Sequence, residues 1–130
     1  MNVNAFVGLP YREGARGPDA FDCYGIVAAV FAERNIALPD FYQDGPGPMS
    51  AARAIDASVK GEIMGGRAER VDVPEDYDIA VVRGFSKAHH VGVVVDGGVL
   101  HASRGLGSIW QSMSSFLRLH GDVEFYRWQV

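Results

Sequence analysis

One cysteine and four histidines are the side chains with obvious reactive potential in this 130-residue chain. Cys23 lies in 21-FDCYGIV-27, and the histidines are His89, His90, His101 and His120. A lone thiol is most often a small buried hydrophobe, and a lone strand histidine is usually structural or exposed. In combination they can do nucleophilic chemistry. The thiolate is the nucleophile, a neighbouring imidazole takes the thiol proton and returns it to a leaving amine, and a third polar group fixes that imidazole's tautomer. The spacing must therefore supply a thiol at an electropositive position and two imidazoles side by side.

The local sequence predicts both. Asp22 is a good helix N-cap, and Ile26, Val27, Val30 and Phe31 recur at helical spacing through 23-CYGIVAAVFAER-34, with Asn35 as the stop. Cys23 then sits in the first helical turn, where free N–H groups and the helix dipole favour an anion, so a lowered thiol pKa is expected. Gly25 costs about 1 kcal/mol there against alanine, which makes sense if another backbone approaches closely. On the histidine side, 96-DG-97 is a strong type I′ hairpin signal. With Asp96 and Gly97 as the turn, Gly92 faces His101, and His90 and His101 become diagonal neighbours on one face, with Cβ atoms roughly 7 Å apart. His89 points to the other face, and His120 lies outside both segments.

The remaining elements fit an α+β chain with a mainly antiparallel sheet. Residues 8-GLPYREGARGP-18 read as loop, 44-DGPGP-48 as a break, and 49-MSAARAIDASVKG-61 as a second, weaker helix. Strands are expected at 79–83, 91–95, 98–103 and 123–128, with a further short one near 108–112. Length and the 48% apolar content suit a single domain over 1–130. Net charge is −4 without a basic run, which gives no footprint for nucleic acid, and no apolar run is long enough to span a membrane. A single cysteine forms no internal disulfide. A metal site of Cys23, His90 and His101 is disfavoured, since neither C-x-x-C nor H-x-x-x-H spacing is present, and no cofactor is expected.

The block 8-GLPYREGARGPDAFDCYGIV-27 resembles the nucleophile segment of the NlpC-type, papain-like cell-wall cysteine peptidases, where G-x-P-Y-x-x-G precedes F-D-C-S-G-L-V. The segment 90-HVGVVVDGGVLHAS-103 resembles that family's H-V-G-I-Y strand, turn and V-I-H-A strand, and 74-PEDYDIAVVR-83 its P-G-D-L-V strand. The resemblance implies Cys23 as nucleophile, His90 as base and His101 as the orienting residue. It also implies Tyr11 as an oxyanion donor and Asp22 as a partner for the free amine of a stem peptide. Tyr24 stands where the family usually has serine, in the pocket beside Asp22. The implied substrate is the peptidoglycan stem peptide, cut between γ-D-glutamate and the diamino acid. The same triad could serve an N-acetylmuramoyl-L-alanine amidase, an antibacterial effector or an inactive structural tail component. The aromatic at 24, and an N-terminus that does not read as a signal peptide, resemble the branch associated with phage and prophage tails. The expectation that follows is synthesis in the bacterial cytoplasm, other tail proteins as partners, and action on the wall after delivery by a virion or other carrier.

Overall fold

The computed structural model describes residues 1–39, 65–84 and 87–129, without the side chains of 84 and 87–89. The helix expected over 49–61 and the break at 44–48 lie outside the described residues. A single 3-10 turn, Val3–Phe6, precedes helix α1 (Cys23–Glu33). Strands β1 (Ala68–Val71), β2 (Ile79–Gly84), β3 (Lys87–Val95), β4 (Gly98–Ser103) and β5 (Gly107–Ser112) follow, then helix α2 (Met113–His120) and strand β6 (Val123–Trp128). The six strands form one sheet in the order β1-β6-β2-β3-β4-β5, every neighbouring pair antiparallel. This is the expected α+β class. No described helix is long and apolar enough to cross a membrane.

The helices cover opposite faces of the sheet, which is why the central strands read as nearly continuous apolar runs. Val91, Val93 and Val95 of β3, Leu100 and Ala102 of β4, and Val81 of β2 pack with Ile26, Val27, Val30 and Phe31 of α1. The alternate residues, Ala80, Val82, Val94, Val99 and Phe125, pack around Phe116 of α2. Each such side chain removed from water contributes about 1.5–3 kcal/mol, so the two faces together fix the position of α1 on β3 and β4.

The hairpin forms as predicted. Asp96 and Gly97 both take positive φ, 51° and 74°, and Val95 pairs with Gly98, Val94 with Val99 and Val93 with Leu100. A Cβ at Gly92 would lie 3.0 Å from His101 Cβ, so Gly92 sits opposite His101 and keeps that place open. Strand β3 starts earlier than the expected 91, and its register on β2 slips between Val82 and Arg83, where Val82 faces His90 but Arg83 faces Ala88. That bulge falls at the histidine pair. Two elements went unread in the sequence: the edge strand β1, and α2, which is capped by the Ser112 hydroxyl accepting from the Ser115 N–H and closed by Gly121 at φ 77°.

Candidate active site

Cys23 opens α1 because Asp22 ends the preceding loop as its N-cap. Asp22 Oδ1 accepts from the Gly25 N–H at 2.6 Å and from Arg16 Nη1 at 2.9 Å, and Oδ2 accepts from the Gly14 N–H at 2.9 Å. The Ala15 carbonyl accepts from the Asp22 N–H, and a Cβ on residue 25 would lie 2.1 Å from that carbonyl oxygen. Glycine at 25 therefore admits the backbone of the 12–16 loop against the first turn, the close approach that its presence in a helix suggested. The loop is anchored in turn on β5: Gly8 N–H donates to the Ser108 carbonyl, Leu9 N–H to Ser108 Oγ, and Ser108 N–H to the Leu9 carbonyl.

The thiol is buried. Burial, with a smaller push from the Asp22 carboxylate, raises it from an ordinary 9.0 to about 11. The N–H groups of Val91, Tyr24 and Cys23 itself act on the sulfur in the opposite direction. The expected lowering at a helix N-terminus is thus reversed, because loss of solvation outweighs the local dipoles. The Val91 contribution also locates the sulfur. Pairing between β3 and β4 runs only as far as Val93↔Leu100, and Val91 N–H would make the next hydrogen-bonded rung. That N–H is directed at the thiol, so Cys23 lies where the two strands part, one residue along β3 from His90.

His90 and His101 share a face as predicted. His90 Nε2 lies 2.9 Å from His101 Nδ1, and His101 Nε2 lies 2.7 Å from Gln111 Oε1. An amide oxygen only accepts, so His101 Nε2 carries the proton. His101 is fully buried and its pKa is lowered by burial, with His120 adding to the lowering and Gln111 opposing it. The ring is therefore neutral and Nδ1 accepts. His90 Nε2–H then donates to it, leaving Nδ1 as the basic atom of His90. The result is a directional relay from Gln111 through His101 to His90.

Tyr11 lies on the loop beside the nucleophile, bridged to Phe21. Burial raises its hydroxyl to about 12, and the nearby Cys23 and Asp22 charges add to this, so it remains an O–H donor next to the thiol. Asp22 is wholly buried, with three internal donors on its carboxylate, which leaves no face for an incoming amine. It holds the loop and caps the helix. The Tyr24 hydroxyl donates to the Pro39 carbonyl, and the Arg16 guanidinium lies 5.5 Å above its ring. Nothing is described of the His89 side chain.

Two residues at the site were not singled out from the sequence. Gln111 belongs to the expected short strand near 108–112, and only the β4–β5 register, with His101 opposite Ile109, brings it to His101. His120, set aside as remote, stacks on His90 with ring centroids 5.6 Å apart and an interplanar angle of 26°. It reaches there from the end of α2, packed on Phe116 at 4.4 Å. Gly121 directly after it is the one sequence signal for a helix ending at that point.

The model of the NlpC/P60 family matches residues 8–117. Among solved structures, NlpC1 from Trichomonas vaginalis aligns with a TM-score of 0.64 at 22% identity, over 98% of this chain and 42% of that one. NlpC2 from the same organism gives 0.64 at 21% identity, over 96% and 43%. The NlpC/p60 domain of the peptidoglycan hydrolase SagA gives 0.57 at 20% identity, over 99% and 100%. This chain thus spans less than half the length of the two Trichomonas chains. These likenesses concern the fold. No curated protein matches the chain.

Proposed function

The chain belongs to the NlpC/P60 family, and from that premise we propose that it is a cysteine peptidase of the bacterial cell wall, a single NlpC-type domain over 1–130 with Cys23 as nucleophile, His90 as base and His101 as the group that orients His90. The observation that carries this reading is the ordered relay Gln111–His101–His90, at 2.7 and 2.9 Å, ending one residue from the N–H that faces the Cys23 thiol. Idle histidines have no need of such a chain of fixed tautomers.

The chemistry follows from the protonation states. The thiol is neutral at rest, so attack on the peptide carbonyl carbon is coupled to transfer of the thiol proton to His90 Nδ1. The carbonyl becomes an oxyanion, for which the Cys23 N–H and the Tyr11 O–H are the available donors. As the C–N bond breaks, the His90 imidazolium returns the proton to the leaving amine, and a thioester to Cys23 remains. Water, giving a proton to His90, then cleaves the thioester and restores the thiol. His101 stays neutral throughout and holds the His90 ring through Nε2–H.

The substrate assigned is the peptidoglycan stem peptide, cut between γ-D-glutamate and the diamino acid. It is supported by the family motifs and by a structural neighbour, SagA, named a peptidoglycan hydrolase. Since Asp22 is sealed, recognition of a free stem-peptide amine falls to other groups. Tyr24 at the position after the nucleophile supports a place in the phage- and prophage-tail branch, acting on the wall after delivery by a virion or other carrier. Digestion of purified muropeptides, with mass analysis of the new ends, tests the reading. New diamino-acid amines and γ-D-glutamate carboxyl ends are the expected products. Intact stem peptides released from the glycan would instead make the enzyme an amidase, and unchanged muropeptides would make it an inactive relative.

A further inference from the structure

We propose that His90, His101 and His120 together form a binding site for a divalent transition-metal ion of the zinc type, and that filling it switches the peptidase off. One ring nitrogen from each of the three lies within 4.8 Å of the others, the one such group of potential ligands among the described residues. Tetrahedral zinc at about 2.0–2.1 Å from imidazole nitrogens holds them roughly 3.3 Å apart. His90 Nε2 and His101 Nδ1, at 2.9 Å, are already near that separation. Only His120 must close in, and both it and His90 are partly rather than fully buried.

The donor set suits the ion. Neutral imidazole is a good ligand for zinc, copper, nickel and cobalt. His101 has the arrangement usual for a metal-bound histidine, its distal N–H held by an oxygen acceptor so that the proximal lone pair is fixed in place. Gln111 Oε1 supplies that acceptor at 2.7 Å. His101 and His120 are edge-on to each other, with ring centroids 5.8 Å apart and planes at 84°, while His120 is stacked on His90, so a small rotation of the His120 ring is what brings its nitrogen to the ion. Three protein ligands leave a fourth position for water.

Inhibition follows from proton bookkeeping and rests on the roles proposed above. A neutral imidazole carries one N–H. In the metal-free site that proton is on His90 Nε2 and the lone pair is on Nδ1. A metal ion on Nε2 moves the proton to Nδ1, so the basic atom becomes a donor and can no longer accept the thiol proton. His120 thereby gains a function without taking part in hydrolysis.

Cobalt(II) titration of the intact protein, read by visible d–d absorption, tests the site without needing activity. One ion per chain is expected, displaced by zinc, and unchanged in Cys23→Ala. His120→Gln should weaken binding by more than about 10²-fold, and Gln111→Leu by about 10- to 100-fold. Ring-nitrogen NMR of the wild-type protein guards against a misfolded variant: zinc should shift nitrogens of His90, His101 and His120 together. In the activity arm, zinc should inhibit and a chelator should restore turnover. Loss of the cobalt spectrum in Cys23→Ala, a sulfur-to-cobalt charge-transfer band, or undiminished binding in His120→Gln would place the ion on the thiol–imidazole pair and overturn the proposal. Absence of binding overturns it outright. A protein that binds cobalt through the three histidines but cleaves no muropeptide would refute the peptidase reading alone.

Discussion

The two halves of the proposed reacting pair are held by opposite means. Cys23 is fixed by its own neighbourhood in the chain: the Asp22 cap, the 12–16 loop pressed on Gly25, Tyr11 beside it, and one strand N–H. The supports are mostly backbone, and the surroundings hold the thiol in its neutral form. His90 is fixed by side chains from three other elements, His101 on β4, Gln111 on β5 and His120 on α2. The thiol side supplies position, while the histidine side supplies basicity. On the proposed mechanism the thiolate is made at the moment of attack, with the relay behind His90 as the means of making it. Breaking either half should stop hydrolysis, but only the histidine half should show graded losses.

The largest effect is expected at the junction. Cys23→Ala and His90→Ala should each reduce muropeptide hydrolysis to background, and the double variant should be no worse than either single, because the two act as one unit. Turnover in His90→Ala within a factor of ten of wild type would mean that the thiol ionises without it, and the contrast between the halves would disappear.

The next effect lies one step back. His101→Ala should lower kcat by about 10² to 10⁴ with KM little changed, as for loss of an orienting partner in other triads. His101→Gln should recover part of this, since its amide oxygen can accept from His90 Nε2–H. Gln111→Leu should cost less, on the order of 10-fold, because it releases only the tautomer of His101 and leaves the ring buried between Gly92 and Phe116. The order His90, His101, Gln111 is the test, read from kcat on one muropeptide. A loss in Gln111→Leu equal to that in His101→Ala would show that the tautomer, not the ring, carries the whole effect.

The same contrast explains what could be read from the sequence. The thiol side is written within about fifteen consecutive residues. Asp22 before an apolar periodicity gives the cap, and glycine in the first turn gives the close approach. The Asp96–Gly97 turn has equally local chemistry, and it fixes the register that puts His90 and His101 together. Gln111 and His120 reach the site only through the β4–β5 pairing and the docking of α2, and neither leaves a short-range trace. Helix α2 is amphipathic but spans only eight residues around one large buried side chain, Phe116, too short a stretch for its periodicity to stand out in the sequence. Its end signals, Ser112 and Gly121, were legible, but Ser112 is also the last residue of β5. Strand β1, Ala-Glu-Arg-Val, pairs along one side only and lacks alternation. The thiol's pKa direction was misread for a related reason: the helix N-terminus is visible in sequence, whereas the burial that outweighs it is a tertiary property.

The smallest effect concerns that thiol alone. Cys23 titrates near 11 in the folded chain against an ordinary 9.0, with burial the larger cause and Asp22 the next. A folded pKa above the unfolded one favours the neutral form. Its contribution to stability is therefore complete below about pH 9 and is lost as pH rises from there through 11. Iodoacetamide alkylation of the free enzyme should accelerate through pH 9 and level only near 11. Asp22→Asn keeps an oxygen for the Gly25 N–H while removing the carboxylate charge, so the midpoint should move down. It should remain above 9.0, because burial persists and Asn is as good an N-cap as Asp. A midpoint at or below 9.0 in that variant would make the Asp22 charge, rather than desolvation, the group that keeps the proton on sulfur. The thiol side would then be governed by one electrostatic contact, much as the histidine side is governed by its relay, and the division between a positioned nucleophile and a tuned base would no longer hold.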